Sequence, residues 1–406
     1  MQKTLITLAA VGLTSGLCAA TNNDEGRCCP VPQAKCYQEG CDCYYCVGPD
    51  MVNPPVRPKT CDGDFAITIA GVYWNSDQDG MEYAINNHVT NPENNHTTYS
   101  GDQGESISTS DIEQLNTLID ATYETPDFKW DFGFKLGLSH SSCHDGWDFG
   151  FLWTYYRGKA NGHIEAEEED NQTLIPLWSA FAPAQGSILY ATDITHNWKL
   201  NLDLIDIQIG REFWTSKYLT LRPHVGVRLA YIKQHLNLQH KGGSWSEEPF
   251  NNNMDIHNDF HGVGVIAGLE STWHLGCGWG FYGNLATSIV YGRFSIDHDE
   301  WNKEASCSFA KTRFVETEDS FRASRAMLDL ALGVQWTTMF CDCCYAFTAQ
   351  LGWESHLFFH QNQMWRIVRI GDYPDSLPNN TGENVYHQRR GTLETEGWTF
   401  TVKFEF

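Results

Sequence analysis

The side chains of this chain best suited to chemistry are 14 cysteines and 16 histidines. Cys28, Cys29, Cys36, Cys41, Cys43, Cys46 and Cys61 crowd into a stretch rich in Pro, Gly and polar residues with no apolar period. A short segment of that kind cannot bury a core and needs covalent staples, so disulfides are the leading reading. Cys43-Tyr-Tyr-Cys46 has the spacing of a redox pair or half a zinc knuckle, but neither a βαβ context nor a second ligand pair accompanies it. The histidines are scattered, as solvated polar residues are, and no metal site or cofactor is expected. Gly-x-Ser-x-Gly, His-Glu-x-x-His, P-loop and dinucleotide patterns are all absent, so no enzyme is expected.

The chain opens with Lys3, an apolar run from Leu5 to Leu17 and a Cys18-Ala19-Ala20 cleavage pattern. Residues 1–20 therefore read as a signal peptide, too short to span a bilayer. Export to an oxidising compartment leaves 13 cysteines (14 less Cys18), an odd number, so at least one stays free, pairs between molecules or binds something else. The formal net charge of −24 argues against nucleic acid and anionic lipid as partners and favours cations at a pore mouth.

The elements that must position such residues announce themselves at the C-terminus. Trp398, Phe400, Val402, Phe404 and Phe406 alternate with Thr399, Thr401, Lys403 and Glu405. That period of two puts one oily face against one polar face on a strand. Phe65–Ile69 with Val72–Trp74, residues 128–138, 147–155, 198–209, 219–231, 263–275, 279–291, 326–336 and 345–353 repeat the pattern, with a weaker segment at Met81–Ile85. Within 198–209 the apolar phase changes from Trp198, Leu200, Leu202 and Leu204 to Ile205, Ile207 and Ile209, which suggests a β-bulge near Leu204. The 15 Trp, 17 Tyr and 22 Phe cluster in these segments, as interfacial girdles do. The expected fold is all-β: a transmembrane antiparallel β-barrel over 63–406, of about 12 strands with 14 or 16 as alternatives, preceded by a Cys-rich periplasmic segment over 21–62.

Link lengths alternate. Short ones fall near 75–80, 139–146, 214–217, 276–278 and 338–344 and read as periplasmic turns; long ones near 87–127, 159–197, 235–258, 295–324 and 355–394 read as outer loops. One helix is expected from Ser110 to Ile119, with Glu113 in capping-box position. The acidic run Glu165–Asp170 lies in an outer loop and reads as a solvated face, a cation-attracting mouth or a weak calcium bridge to anionic lipid headgroups. Phase places Lys129, Asp131, Lys135, Asp203, Arg222, His224, Arg228, Asp329 and Glu354 in the lumen. Cys143, Cys277, Cys341, Cys343 and Cys344 fall in short links, which with the N-terminal seven puts all but Cys307 of the exported cysteines on the periplasmic side. Links this short hold few internal bridges, so cross-links to other envelope proteins or to further copies stand beside local pairing between neighbouring turns.

Gly71–Trp74 with Asp79–Ala84, Pro126–Gly137, Trp198–Phe213, Leu219–Arg228, Gly262–Phe294 and Gly397–Phe406 together resemble the pore-forming major outer membrane proteins of Legionella and Chlamydia-related bacteria. The resemblance covers most of 65–406. It implies an outer-membrane barrel acting as a general diffusion channel and offers no catalytic motif. The expectation is thus an outer-membrane porin for small hydrophilic solutes, mildly cation-preferring, seated in outer-membrane lipid, with self-association left open. The alternative is a structural or adhesive envelope protein with a plugged barrel.

Overall fold

The structure, a computed structural model, describes residues 53–57, 63–88, 99–100, 106–107, 121–142, 146–166, 172–181, 189–243, 251–303, 311–340, 345–370 and 383–406. Ten strands form a closed antiparallel barrel: β1 (Asp64–Gln78), β2 (Trp130–Ser141), β3 (Trp147–Glu165), β4 (Asp193–Arg211), β5 (Leu219–Lys241), β6 (Asn251–Gly276), β7 (Trp279–Lys303), β8 (Lys311–Phe340), β9 (Tyr345–Phe358) and β10 (Leu393–Glu405). Each pairs with its sequence neighbours, and β1 closes the ring on β10 with Ile67 opposite Phe404 and Tyr73 opposite Trp398. The two ends of the ring are stitched by reciprocal backbone bonds between Phe65 and Phe406, 2.7 and 2.8 Å. Closure leaves no exposed sheet edge, the condition for a sheet to sit in lipid.

Ten strands replace the expected dozen. The segment at Met81–Ile85 is not in the wall: Ala84–His88 pairs with Thr122–Glu124 and Gln172–Pro176 in a small three-stranded sheet. Removing it from the alternating segments restores the even number that antiparallel closure requires with both barrel termini on one side. Links alternate as expected, with a two-residue Cys277-Gly278 turn at one extreme, both residues at positive φ (53° and 83°) as a tight hairpin needs. Two link assignments change. Gln78 pairs with Leu393 at the outer end of the barrel, so 75–80 is no periplasmic turn. The loops expected over 235–258 and 295–324 are mostly strand, because β5 to β8 run far past the lipid. The helix expected at 110–119 and the acidic run after Glu165 lie outside the described residues, apart from Glu165 itself.

The outward face of β7 shows where the lipid ends. Trp279, Phe281, Leu285, Ile289 and Tyr291 point out and are exposed, and beyond them Arg293, Ser295, Asp297 and Asp299 take the same face. The twelve steps from Trp279 to Tyr291 (291 − 279) span about 30 Å at about 3.3 Å per residue and about 40° tilt, the thickness of a hydrocarbon core. Tyr73, Trp130, Trp353 and Trp398 pack ring to ring at this outer boundary, with centroids 5.2 to 5.9 Å apart along the chain of contacts. Phe65, Trp147, Trp273 and Trp279 mark the inner one.

Beyond the outer boundary the pattern inverts. On β4, Ile205, Ile207 and Ile209 face lipid while Trp198, Leu200, Leu202 and Leu204 face inward and are buried. The register of β4 against β3 and β5 is continuous through Leu204, so there is no bulge. The apolar residues change face because the outer solvent changes from lipid to water. The outer half of the barrel therefore has a packed apolar core, with Trp178, Trp198, Phe260, Phe294 and Phe358 fully buried.

Candidate functional site

Below that core, at lipid depth, the inward face carries charge. Asp206 sits between Ile205 and Ile207 on β4, Asp148 between Trp147 and Phe149 on β3, and Glu270 next to Leu269 on β6, each directed inward by the same alternation that sends its neighbours to lipid. Here they meet cations. Arg228 on β5 grips Asp206 with Nε and Nη2 at 2.7 and 2.8 Å and reaches across the lumen to Asp329 on β8 at 2.6 Å, with Ser288 on β7 at 3.2 Å. Asp329 is bonded on its other side to His356 on β9, 2.6 Å, which also approaches Glu354 at 3.4 Å. Glu354 accepts from Lys135 on β2, 2.5 Å. One chain of ionic contacts thus crosses the barrel from β4 to β2 through strands far apart in sequence.

A second layer lies nearer the periplasm. Arg222 binds Asp148 bidentately, 2.9 and 2.5 Å, and Glu270 at 2.5 Å, with His224 3.8 Å from Glu270. A third forms the floor, where Arg57 pairs with Glu405 and lies 3.9 Å from Asp64, and Lys403 meets Glu405 at 2.6 Å. The segment carrying Arg57 is tied to the rim by Val56 N–H to Glu212 O, 3.0 Å, and by Trp214 N–H to Pro54 O, 2.9 Å. Water reaches this inward surface: the Glu270 side chain keeps 39% of its exposure although it points into the barrel.

Trp74 of β1 divides the ionic layers from the apolar half. Lys135 lies 5.0 Å from its ring, His356 packs against it at 4.7 Å, and Tyr156 at 5.4 Å. Its indole N–H donates to Thr399 and its carbonyl accepts from the Tyr156 hydroxyl, 3.1 and 2.9 Å. Above it, residues 172–181 of the link between β3 and β4 fold into the outer mouth as a lid. Trp178 donates to Glu82 O at 2.8 Å, Leu177 N–H binds Tyr83 O at 3.2 Å, and Ser179 and Ala180 bind Glu300 on β7. Glu300 lies nine residues past Tyr291, outside the lipid, and burial pushes its carboxyl up to about 7. Among the described residues no group of three or more His, Cys, Asp or Glu is arranged to hold a metal ion.

Of the lumen residues expected from phase, Lys135, Arg222, His224, Arg228, Asp329 and Glu354 join these layers, and Asp131 faces inward opposite Trp74 in register. Two do not. Asp203 sits on the outer surface, 2.8 Å from Arg157, because the inverted pattern on this stretch of β4 turns Leu202 and Leu204 inward instead. Lys129 precedes β2 and is exposed, paired with Asp127. Sequence reasoning missed Asp148, Asp206, Glu270 and His356, although alternation around their apolar neighbours marks the first three. Glu300 carried no such mark. Cys277 is disulfide-bonded; Cys28, Cys29, Cys36, Cys41, Cys43, Cys46, Cys61, Cys143, Cys307, Cys341, Cys343 and Cys344 lie outside the described residues.

The family described as Legionella pneumophila major outer membrane protein precursor matches residues 58–406. No curated protein matches the chain. Among solved structures, the outer membrane protease OmpT of Escherichia coli is similar at 8% identity, covering 84% of this chain and 96% of its own, with a TM-score of 0.34. A mutant of the TodX monoaromatic hydrocarbon channel follows at 10% identity, 87% and 92% coverage and a TM-score of 0.26. A Pseudomonas aeruginosa FadL homologue has 7% identity, the same coverages and a TM-score of 0.21. Scores of this size leave function to be argued from the chain itself.

Proposed function

The chain belongs to the Legionella major outer membrane protein family, a multi-pass β-barrel of the bacterial outer membrane, and on that premise we propose that it is a channel for passive diffusion of small hydrophilic solutes. It works without cofactor or covalent chemistry. The observation that carries this reading is a charged interior at the depth where the outer wall faces lipid, with Glu270 in its periplasmic layer open to water. Ionisable groups at membrane depth are expensive to keep and mark solute and ion paths. Their arrangement in facing pairs of opposite sign sets a transverse field that orients polar solutes and disfavours apolar ones. Asp131, Asp148, Asp206, Glu270, Asp329 and Glu354 outnumber Lys135, Arg222 and Arg228 on the inward face, which supports a mild preference for cations. Passage requires the lid to lift and the ionic lattice to part, so conduction is gated and the single-channel steps are small.

A second reading, a plugged barrel whose work is structural, is favoured by the packed apolar core of the outer half. On that reading the periplasmic cysteines tie the barrel to other envelope proteins or to further copies. Planar-bilayer recording on the purified full-length protein separates the two. Discrete steps whose reversal potential in a salt gradient lies on the cation side support the channel. Silence with demonstrably inserted protein supports the plug.

A further inference from the structure

We infer that Glu300 is an acid-operated latch that holds the lid segment Leu177–Phe181 in the outer mouth of the barrel. This names a regulation of the passage proposed above and rests on that reading for its effect on conductance, though not for its effect on the lid.

The geometry is a fully buried carboxyl with its donors on a different element. The Ser179 hydroxyl and the Asn252 amide donate to Oε1, the latter at 3.0 Å, and the Ala180 N–H donates to Oε2 at 2.8 Å. Two of the three donors belong to the lid, so lifting it strips Glu300 of most of its partners and opens it to water. Asn252 is itself held by His240 Nδ1 at 2.7 Å and donates to Asn302 at 3.1 Å. The lid is also seated by the indole of Trp178 and by Leu177, whose bonds go to the backbone at Glu82 and Tyr83, and by the Arg366 guanidinium 5.9 Å from the Trp178 ring, a group that stays charged in this range. The titratable neighbours are His298, two residues away on the inward face of β7, and His240 of β5 behind Asn252. Burial holds both down to about 4, so they are neutral across the relevant range. The facing residues in register, Met254 of β6 and Val315 of β8, carry no charge. Only burial moves the Glu300 carboxyl up, against the three hydrogen bonds.

The sign follows from linkage. With the lid down the carboxyl titrates at about 7; released to water it returns to the ordinary 4.5. A group raised in the closed form favours that form fully below the released value and loses the contribution as pH rises through the closed one. Acid therefore keeps the lid down. Between pH 6 and pH 8 the equilibrium for lifting rises about ten-fold, from the ratio of the two titration curves.

The test is hydrogen–deuterium exchange on the full-length protein in detergent, corrected for intrinsic exchange rates, for the peptide spanning Leu177–Phe181. Protection is expected to fall about ten-fold from pH 6 to pH 8 in the natural protein and to stay level in Glu300→Gln, which keeps an acceptor and cannot ionise. A level profile in the natural protein overturns the latch whether or not the variant folds. So does an identical slope in natural protein and variant. Bilayer recording is run in parallel. A lid that responds to pH under silent bilayers leaves the latch standing and removes the diffusion channel. Conductance that opens with pH equally in both proteins removes the latch and leaves the channel.

Discussion

Arg228 is the side chain on which the central ionic layer depends, and its removal gives a quantitative test. It is almost wholly buried, holds Asp206 through two bonds and carries a contact that joins β5 to β8 across the lumen. Substitution by methionine keeps the length and removes the charge, leaving Asp206 without its arginine and Asp329 with His356 as its remaining partner in the layer. Breaking a buried ion pair by deleting one partner costs about 3–5 kcal/mol. Water reaches parts of this interior, so the low end applies: about 3 kcal/mol, or roughly a 150-fold loss in the folded-to-unfolded ratio. The assay is urea unfolding in lipid vesicles, read as loss of the compact band on unheated gels. Replacing both acids along with the arginine, as Asp206→Asn, Arg228→Met and Asp329→Asn together, is expected to recover most of the loss, since no carboxylate is then stranded. Arg157→Met is the control. Its pair with Asp203 lies partly exposed on the outer surface, and it should cost no more than about 1 kcal/mol. If Arg228→Met is within about 0.5 kcal/mol of the natural protein, the lattice is solvated rather than buried and the layered interior is refuted.

The remaining predictions probe the wall and its outer half. Leu285→Arg, midway along the lipid-facing stretch of β7, should destabilise by about 2–4 kcal/mol, whereas Asp297→Arg on the same face above Tyr291 should be near neutral; equal effects in vesicle unfolding would misplace the membrane boundary. Trp198→Ala should cost about 3–5 kcal/mol although it lies outside the lipid, because it empties part of the outer core; a cost under 1 kcal/mol would mean that core is not packed. In a potassium chloride gradient the channel should reverse on the cation side and Glu270→Gln should move the reversal potential toward zero, while reversal on the anion side would refute the role given to the acidic excess.

Much of the wall was legible along the chain. Period-two alternation needs only neighbouring residues, so the final strand, with Trp398, Phe400, Val402 and Phe404 outward and Thr399 and Glu405 inward, stands as read. The family resemblance and the alternation of link lengths came from the same local information. The sequence alone could not say which face of an alternating strand looks outward, because that depends on what lies outside. In lipid the apolar face turns out; in water it turns in. Trp198–Leu204 and Ile205–Ile209 therefore looked like a slipped strand and are one straight strand crossing from water into lipid. The same ambiguity placed Asp203 inside. Strand number was decided by closure, a property of the whole ring, which excluded Met81–Ile85 from the wall. The ionic layers were decided by the barrel's curvature, which brings Arg228 to Asp329 and Lys135 to Glu354 over separations of 101 and 219 residues. The latch was invisible for the same reason: Glu300 is an ordinary acid on a strand until a lid 120 residues away folds down over it.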